Sequence, residues 1–120
     1  MLSANVAALV RQELIQVVAN GTARRACSGF VMSDGSIVPL GGKTGTGDNR
    51  IKSFTSGGHV VGSRVASRTA VFAFIIGDRF FGTLIVFVPG DVARNYEFTS
   101  SLPVQIFKEL EPTLRPLLER

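Results

Sequence analysis

The sequence has one cysteine, Cys27, and one histidine, His59. A single cysteine forbids an internal disulfide and leaves the redox compartment open. The pair also falls short of the ligand set that a structural zinc requires, so no metal or cofactor site is expected. Long apolar runs are missing too. The longest, Ala70 to Ile76 and Leu84 to Pro89, are far shorter than the roughly 20 residues of a membrane-crossing helix. No basic-then-apolar stretch opens the chain, so an export signal or anchor is expected elsewhere or not at all. Charged residues make up only 18% of the chain, and the basic ones behind its net charge of +4 are dispersed: Arg24, Arg25, Lys43, Arg50, Lys52, Arg64 and Arg68 among them. With no basic stripe interleaved by aromatics, a nucleic-acid partner is not expected. Cations flanking a glycine-rich middle suit an ordinary basic surface, or a site that attracts carboxylates or phosphates.

What is present describes one globular domain. The chain has 120 residues, 45% of them hydrophobic, enough for a single core. Val6, Leu9, Val10, Leu14, Val17 and Val18 recur at three- and four-residue steps, which predicts an amphipathic helix over 4–19. Ser3 suits its N-cap, and Asn20-Gly21 its end, with Gly21 taking a positive φ. Ser33-Asp34-Gly35-Ser36 reads as a turn. Ile37, Val38 and Leu40 make a short strand that leads into Gly41-Gly42-Lys43-Thr44-Gly45-Thr46-Gly47. Residues 47–67, rich in Gly, Ser and charge, read as a long surface loop. Thr69 to Ile76 and Phe80 to Val88 are β-branched and aromatic, and the short Gly77-Asp78-Arg79 link makes them an antiparallel hairpin. Their near-continuous apolar character predicts a sheet covered on both faces. A closing helix starts at Ser100 or Ser101, with Pro103 in its first turn and a stripe of Phe107, Leu110, Leu114, Leu117 and Leu118. Pro112 and Pro116 are expected to kink or divide it. Phe72, Phe74, Phe80, Phe81, Phe87 and Cys27 are assigned to the core, and His59 to a solvated loop.

The glycine-rich centre has three readings. A phosphate loop needs a Gly six residues before its Lys, and that position is Ile37. Gly45 and Gly47 would also weaken the helix that must follow. A plain glycine-rich turn would leave Lys43 merely exposed. The third reading rests on context, because Lys43-Thr44-Gly45-Thr46 stands between an apolar strand and a polar segment, with an antiparallel hairpin behind it.

Lys-Thr-Gly-Thr in this setting resembles the third active-site motif of penicillin-binding proteins and serine β-lactamases. The stretch Val17-Val18-Ala19-Asn20-Gly21-Thr22-Ala23 resembles the helix that ends in Gly-Thr-Ala ahead of the motif strand in class A penicillin-binding proteins. The closing helix fits as well, so the resemblance covers nearly the whole chain. It implies an α+β fold: a three-stranded antiparallel sheet flanked by N- and C-terminal helices, forming the C-terminal portion (1–120) of an incomplete transpeptidase domain. It implies that Lys43 places a cation beside the catalytic hydroxyls, and that Thr44 bonds the carboxylate of a peptide stem or β-lactam. Gly45 would let substrate backbone lie against the strand, and the Thr46 N–H would serve the oxyanion hole, where one donor is worth about 3 kcal/mol of barrier. The implied parent is a peptidoglycan D,D-transpeptidase of the bacterial cell envelope, periplasmic or on the outer face of the cytoplasmic membrane, which can also carry a glycosyltransferase domain.

The nucleophile of that family is missing. No Ser precedes a Lys at the Ser-x-x-Lys spacing: Leu40, Asn49 and Gln105 hold the places before Lys43, Lys52 and Lys108. Ser3-Ala4-Asn5 matches the letters of the second motif, but it lies too near Lys43, and a cap is the simpler role for Ser3. Gly47 stands where Thr or Ser is common, and Thr69-Ala70-Val71-Phe72 replaces the family's Asp-Ala-Trp-Phe type of strand. The chain alone is therefore expected to be inactive. Its expected partners are a stem peptide or β-lactam and the remainder of the transpeptidase domain. In the family, further strands pair beside the last strand of the hairpin. Without them Phe80 to Val88 should present an apolar edge through which copies associate.

Overall fold

Runs of β-branched and aromatic residues flanked by two helical segments give an α+β chain whose sheet is antiparallel throughout. The computed structural model describes residues 1–26 and 29–120, with the side chain of Asp91 left aside; the core assignment of Cys27 lies outside the described residues. Helix α1 spans Ala4–Asn20, followed by β1 (Gly29–Val31), β2 (Ile37–Phe54), β3 (Val60–Ile76) and β4 (Phe80–Pro89), then a 3-10 turn at Gly90–Asn95 and helix α2 at Ser101–Leu118. The strand order is β1-β2-β3-β4, one strand more than expected. The extra strand forms because the turn at Ser33–Ser36 folds Gly29–Val31 back on Ile37–Pro39. In that turn Gly35 has φ 82°, and the Asp34 carboxylate accepts from the Ser36 Oγ (2.6 Å) and N–H (2.8 Å). The hydroxyl first, and the amide after it, hold the Asp34 carboxyl below its ordinary value.

The largest correction concerns residues 47–67. They form no loop: β2 and β3 pair from Leu40↔Ile76 out to Phe54↔Val60, with register shifts at Asn49/Arg50 and Ser53/Phe54. Neither face of the outer half is buried, so the apolar alternation that marks a strand is absent there. The backbone ladder holds it, helped by Arg68 Nε to Asp48 Oδ1 (3.0 Å) and Asn49 Nδ2 to Ser67 Oγ (2.8 Å). The ribbon turns through Thr55–His59, with Gly58 at φ 82°. It stretches the molecule to 66 × 33 × 23 Å.

The core lies on one face of the sheet. Leu40, Phe72 and Ile76 point to it, together with Val18 of α1, Phe30 of β1, and Val104 and Phe107 of α2. Phe107 meets Phe72 edge-on at 5.3 Å, Phe30 edge-on at 6.2 Å and Phe74 at 4.6 Å between centroids. Gly42 makes this packing possible, because a Cβ there would stand 2.5 Å from the Phe72 ring. On the other face α1 covers the Gly41–Ile75 end, where a Gly41 Cβ would stand 3.1 Å from the Ile15 N, and β4 is left bare. In β4 burial alternates strictly, and Phe81 is 86% exposed, with Ile85 and Phe87 also exposed. The expectation of two covered faces thus fails at β4, and Phe81 and Phe87 lie outside the core, because helix packing reaches only one side of that strand.

The helices bring smaller corrections. Ser3 caps α1 by accepting from the Val6 N–H. Gly21 has φ −103°, extended rather than left-handed. Its lack of a side chain answers a close approach instead, since a Cβ would meet the Val17 carbonyl oxygen at 2.8 Å. Of the α1 stripe only Leu14, Val17 and Val18 turn inward, while Val6, Leu9 and Val10 are exposed. Arg11 reaches across to the Gly77 carbonyl in the β3–β4 turn (2.8 Å). Helix α2 runs on through Pro112 and Pro116 undivided. Both prolines are exposed. In its stripe Phe107 is buried, Leu114 and Leu118 are half-buried, and Leu110 and Leu117 are exposed.

Phe107→Ala removes the ring that three others contact and is expected to cost about 3–5 kcal/mol. Phe81→Ser, on the bare face, is expected to change stability by less than about 0.5 kcal/mol. Urea unfolding of the two variants checks the contrast.

Candidate functional site

Lys43, Thr44, Gly45 and Thr46 lie in the regular part of β2, opposite Ala73, Phe72, Val71 and Ala70. Two bonds fix how the strand is oriented about its axis. The Pro39 carbonyl accepts from the Gly77 N–H on the β3 side, and the Ser36 carbonyl accepts from the Met32 N–H on the β1 side. Backbone groups of successive residues alternate between the two edges of an antiparallel strand. Up to the register shift at Asn49/Arg50, odd-numbered residues of β2 therefore bond β3, whereas the N–H and C=O of Leu40, Gly42, Thr44 and Thr46 point away from it. Strand β1 covers that outer edge only at 37–39. Beyond Pro39 no strand pairs with it among the described residues.

Side chains alternate across the faces as backbone groups alternate across the edges. Thr44 points to the core side and is only 8% exposed. Its hydroxyl lies 2.9 Å from the Thr22 hydroxyl, just beyond the end of α1. Thr46 is on the same face, and its Oγ1 accepts from the Ser100 N–H (3.0 Å) at the head of α2. Ser100 itself makes no side-chain cap; the Ser101 N–H that opens the helix donates instead to the Thr99 Oγ1 (3.3 Å). Lys43 leaves from the opposite face, beside a depression of about 400 Å³ lined also by Leu14, Phe74 and Phe81. It bends back so that Nζ donates to the Thr44 carbonyl (2.8 Å). The ammonium thereby comes to the same edge as the outward amides.

Gly45 differs in kind from Gly42. A Cβ on Gly45 would meet nothing within 4 Å, and its φ is not positive. Neither packing nor backbone conformation demands a glycine there. The open space is what a ligand lying along the strand would require.

Sequence reasoning missed the other wall. Thr22, Arg24, Arg25, Thr99 and Ser101 line a polar cleft of about 510 Å³. Thr22 touches Thr44, and Thr99 and Ser101 flank the residue that bonds Thr46, so the cleft continues the motif edge. Arg24 and Arg25 also line the adjoining hollow of about 730 Å³ along α2. Two adjacent arginines in a cleft favour a carboxylate or another anion. The Gly-Thr-Ala stretch at 21–23 was the available signal. Ser3 is used as a cap, far from this edge in sequence and role. His59 sits in the ribbon turn. Among the described residues no three His, Cys, Asp or Glu side chains come together as a metal site.

Comparison with known proteins found no match: no family model, no curated protein and no solved structure.

Thr46→Val leaves the Ser100 N–H without its acceptor and is expected to lower stability by about 1 kcal/mol. Thr46→Ser, which keeps the oxygen, is expected to retain most of it. Thermal or urea unfolding of the pair measures the difference.

Proposed function

We propose that the chain is the C-terminal portion of a peptidoglycan D,D-transpeptidase and supplies the strand that grips the substrate carboxylate and the developing oxyanion. One observation carries the proposal: Lys43–Thr46 is an extended segment at an open sheet edge, with the Thr44 and Thr46 amides facing outward and the Lys43 ammonium drawn to the same edge. Lys43 supplies the charge that holds an acidic peptide terminus and assists proton movement beside catalytic hydroxyls. The Thr46 hydroxyl accepts from Ser100 and keeps its O–H to donate to a carboxylate, and the Thr44 hydroxyl does the same when Thr22 is the donor of their pair. The outward Thr46 N–H is the oxyanion donor. Gly45 leaves room for substrate backbone.

In the proposed reaction a serine from the rest of the transpeptidase domain forms the acyl ester, since the chain has no Ser-x-x-Lys. The parent acts in the cell envelope and can carry a glycosyltransferase domain as well. A phosphate loop does not suit the same residues. That motif needs a turn opening into a helix, and β2 runs extended through 41–47. A second reading, a binding module for acidic peptide stems without chemistry of its own, is favoured by the missing nucleophile. Both readings place the stem's carboxylate at Lys43. They part on whether adding the serine-bearing remainder restores acylation.

The isolated chain is expected to form no covalent adduct with a labelled penicillin. It is expected to bind a peptide ending in D-Ala-D-Ala weakly and saturably by NMR titration, with Lys43→Ala reducing affinity about tenfold. Stable penicillin labelling, or equal binding by the Lys43 variant, contradicts this assignment. A separate expectation concerns β4, which among the described residues pairs only with β3 and carries no charged residue from Phe80 to Pro89 to guard its edge. Copies are expected to associate through it at high micromolar concentration, and Ile85→Lys to restore a monomer in sedimentation velocity.

A further inference from the structure

The outer β2–β3 ribbon is explained neither by the core nor by the motif edge. From Asp48 to Phe54 it projects about 20 Å, with both strands exposed on both faces over Arg50–Phe54 and Val60–Arg64. A ribbon that buries nothing is normally polar. This one carries large apolar side chains near its end: Phe54 and its cross-strand partner Val60, with Val61 next in sequence and Ile51 further back, 59%, 54%, 65% and 48% exposed. Phe54 and Val60 stand directly behind a well-bonded polar turn. There the Thr55 N–H donates to the His59 carbonyl (2.8 Å) and the Gly58 N–H to the Thr55 carbonyl (2.9 Å).

The charges form a second pattern. Residues 49–66 contain Arg50, Lys52 and Arg64 and no acidic residue. The nearest carboxylate, Asp48, is held by Arg68 at 3.0 Å and lies 3.9 Å from the half-exposed Arg50, a loose contact. Lys52 makes no ion pair among the described residues. The order along the ribbon, outward from the body, is an acid already engaged, then cations on either side of Ile51, then Phe54, Val60 and Val61 beneath the small polar turn.

We infer that the ribbon tip is a docking element for an anionic lipid bilayer: Phe54, Val60 and Val61 enter the headgroup boundary while Arg50 and Lys52 meet the phosphates behind them. The order of the residues selects this partner. An element that tracks a nucleic-acid backbone puts its cations outermost, and a protein groove would ask for no charge of one sign. An interfacial membrane element combines apolar groups near its end, which enter the headgroup boundary, with nearby cations attracted to anionic lipid. No helix among the described residues is long and apolar enough to cross a membrane. The bilayer contact does not depend on the transpeptidase assignment, because Lys43–Thr46 plays no part in it.

The test uses the whole chain and vesicles of about equal parts phosphatidylglycerol and phosphatidylcholine, compared with phosphatidylcholine alone. Cosedimentation is expected with the anionic vesicles and to weaken as salt rises. The double variant Arg50→Gln, Lys52→Gln is expected to bind on the order of twentyfold more weakly, each cation near the surface being worth about fivefold. Because the protein has no tryptophan, Phe54→Trp is a sole reporter at the tip. Its emission is expected to shift to shorter wavelength with anionic vesicles. The substituted side chains are exposed, and unchanged far-UV circular dichroism verifies that the variants fold. No binding to anionic vesicles, or binding indifferent to the double substitution, overturns the proposal. So does an unshifted Trp emission on bound protein, which would leave a purely electrostatic contact of the kind a nucleic acid makes.

Discussion

The pairing that sets Thr44 opposite Phe72 governs the rest of the molecule. In an antiparallel ladder one register fixes two alternations together, side chains between faces and backbone groups between edges. Here it sends Leu40, Phe72 and Ile76 under α2 and so creates the core. The same register turns the Thr44 and Thr46 amides to the open edge of β2. A slip by one residue would put Lys43 into the phenylalanine cluster and the amides of Lys43 and Gly45 on that edge. Burial of Phe107 against Phe72 and Phe74 resists such a slip, so the energetics of the core hold the geometry of the site. Gly42 belongs to the same constraint, because no larger residue lets the Phe72 ring lie across the strand.

Burial is distributed unevenly. One face of the sheet is dry and close-packed, while the other shows Phe81, Ile85 and Phe87 to solvent. The first two turns of α1 are bare as well, with Val6, Leu9 and Val10 exposed. These surfaces adjoin the proposed site without taking part in it. They are apolar beyond the scattered single residues that any soluble surface carries, and this is where association with another chain is expected. The ribbon tip differs from them by its cations, which is why it is assigned another partner.

The sequence showed part of this. Helix α1 and its Ser3 cap, the Asp34-Gly35 turn and the β3–β4 hairpin were legible because each rests on local rules: apolar spacing, a capping hydroxyl, a positive-φ glycine, a short link between β-branched runs. The outer ribbon was not legible, because a strand with no buried face loses its alternation, and Gly and Ser mimic a loop. The bare face of β4 was hidden for the opposite reason: Phe81, Ile85 and Phe87 look like core residues wherever the tertiary partner is unknown. Lys43–Thr46 stood out as a motif. Its neighbours Thr22, Arg24, Arg25 and Ser100 did not, since they converge from segments on either side of the strand and only folding brings them together.

The outward orientation of alternate β2 amides is the central physical claim, and amide hydrogen exchange followed by NMR tests it most directly. Lys43, Gly45 and Gly47, whose N–H groups bond β3, are predicted to exchange slowly. Thr46, facing the open edge, is predicted to exchange far faster, at a rate approaching that of an unprotected amide. Uniform protection across 43–47, or the reverse alternation, would contradict the orientation and the site built on it.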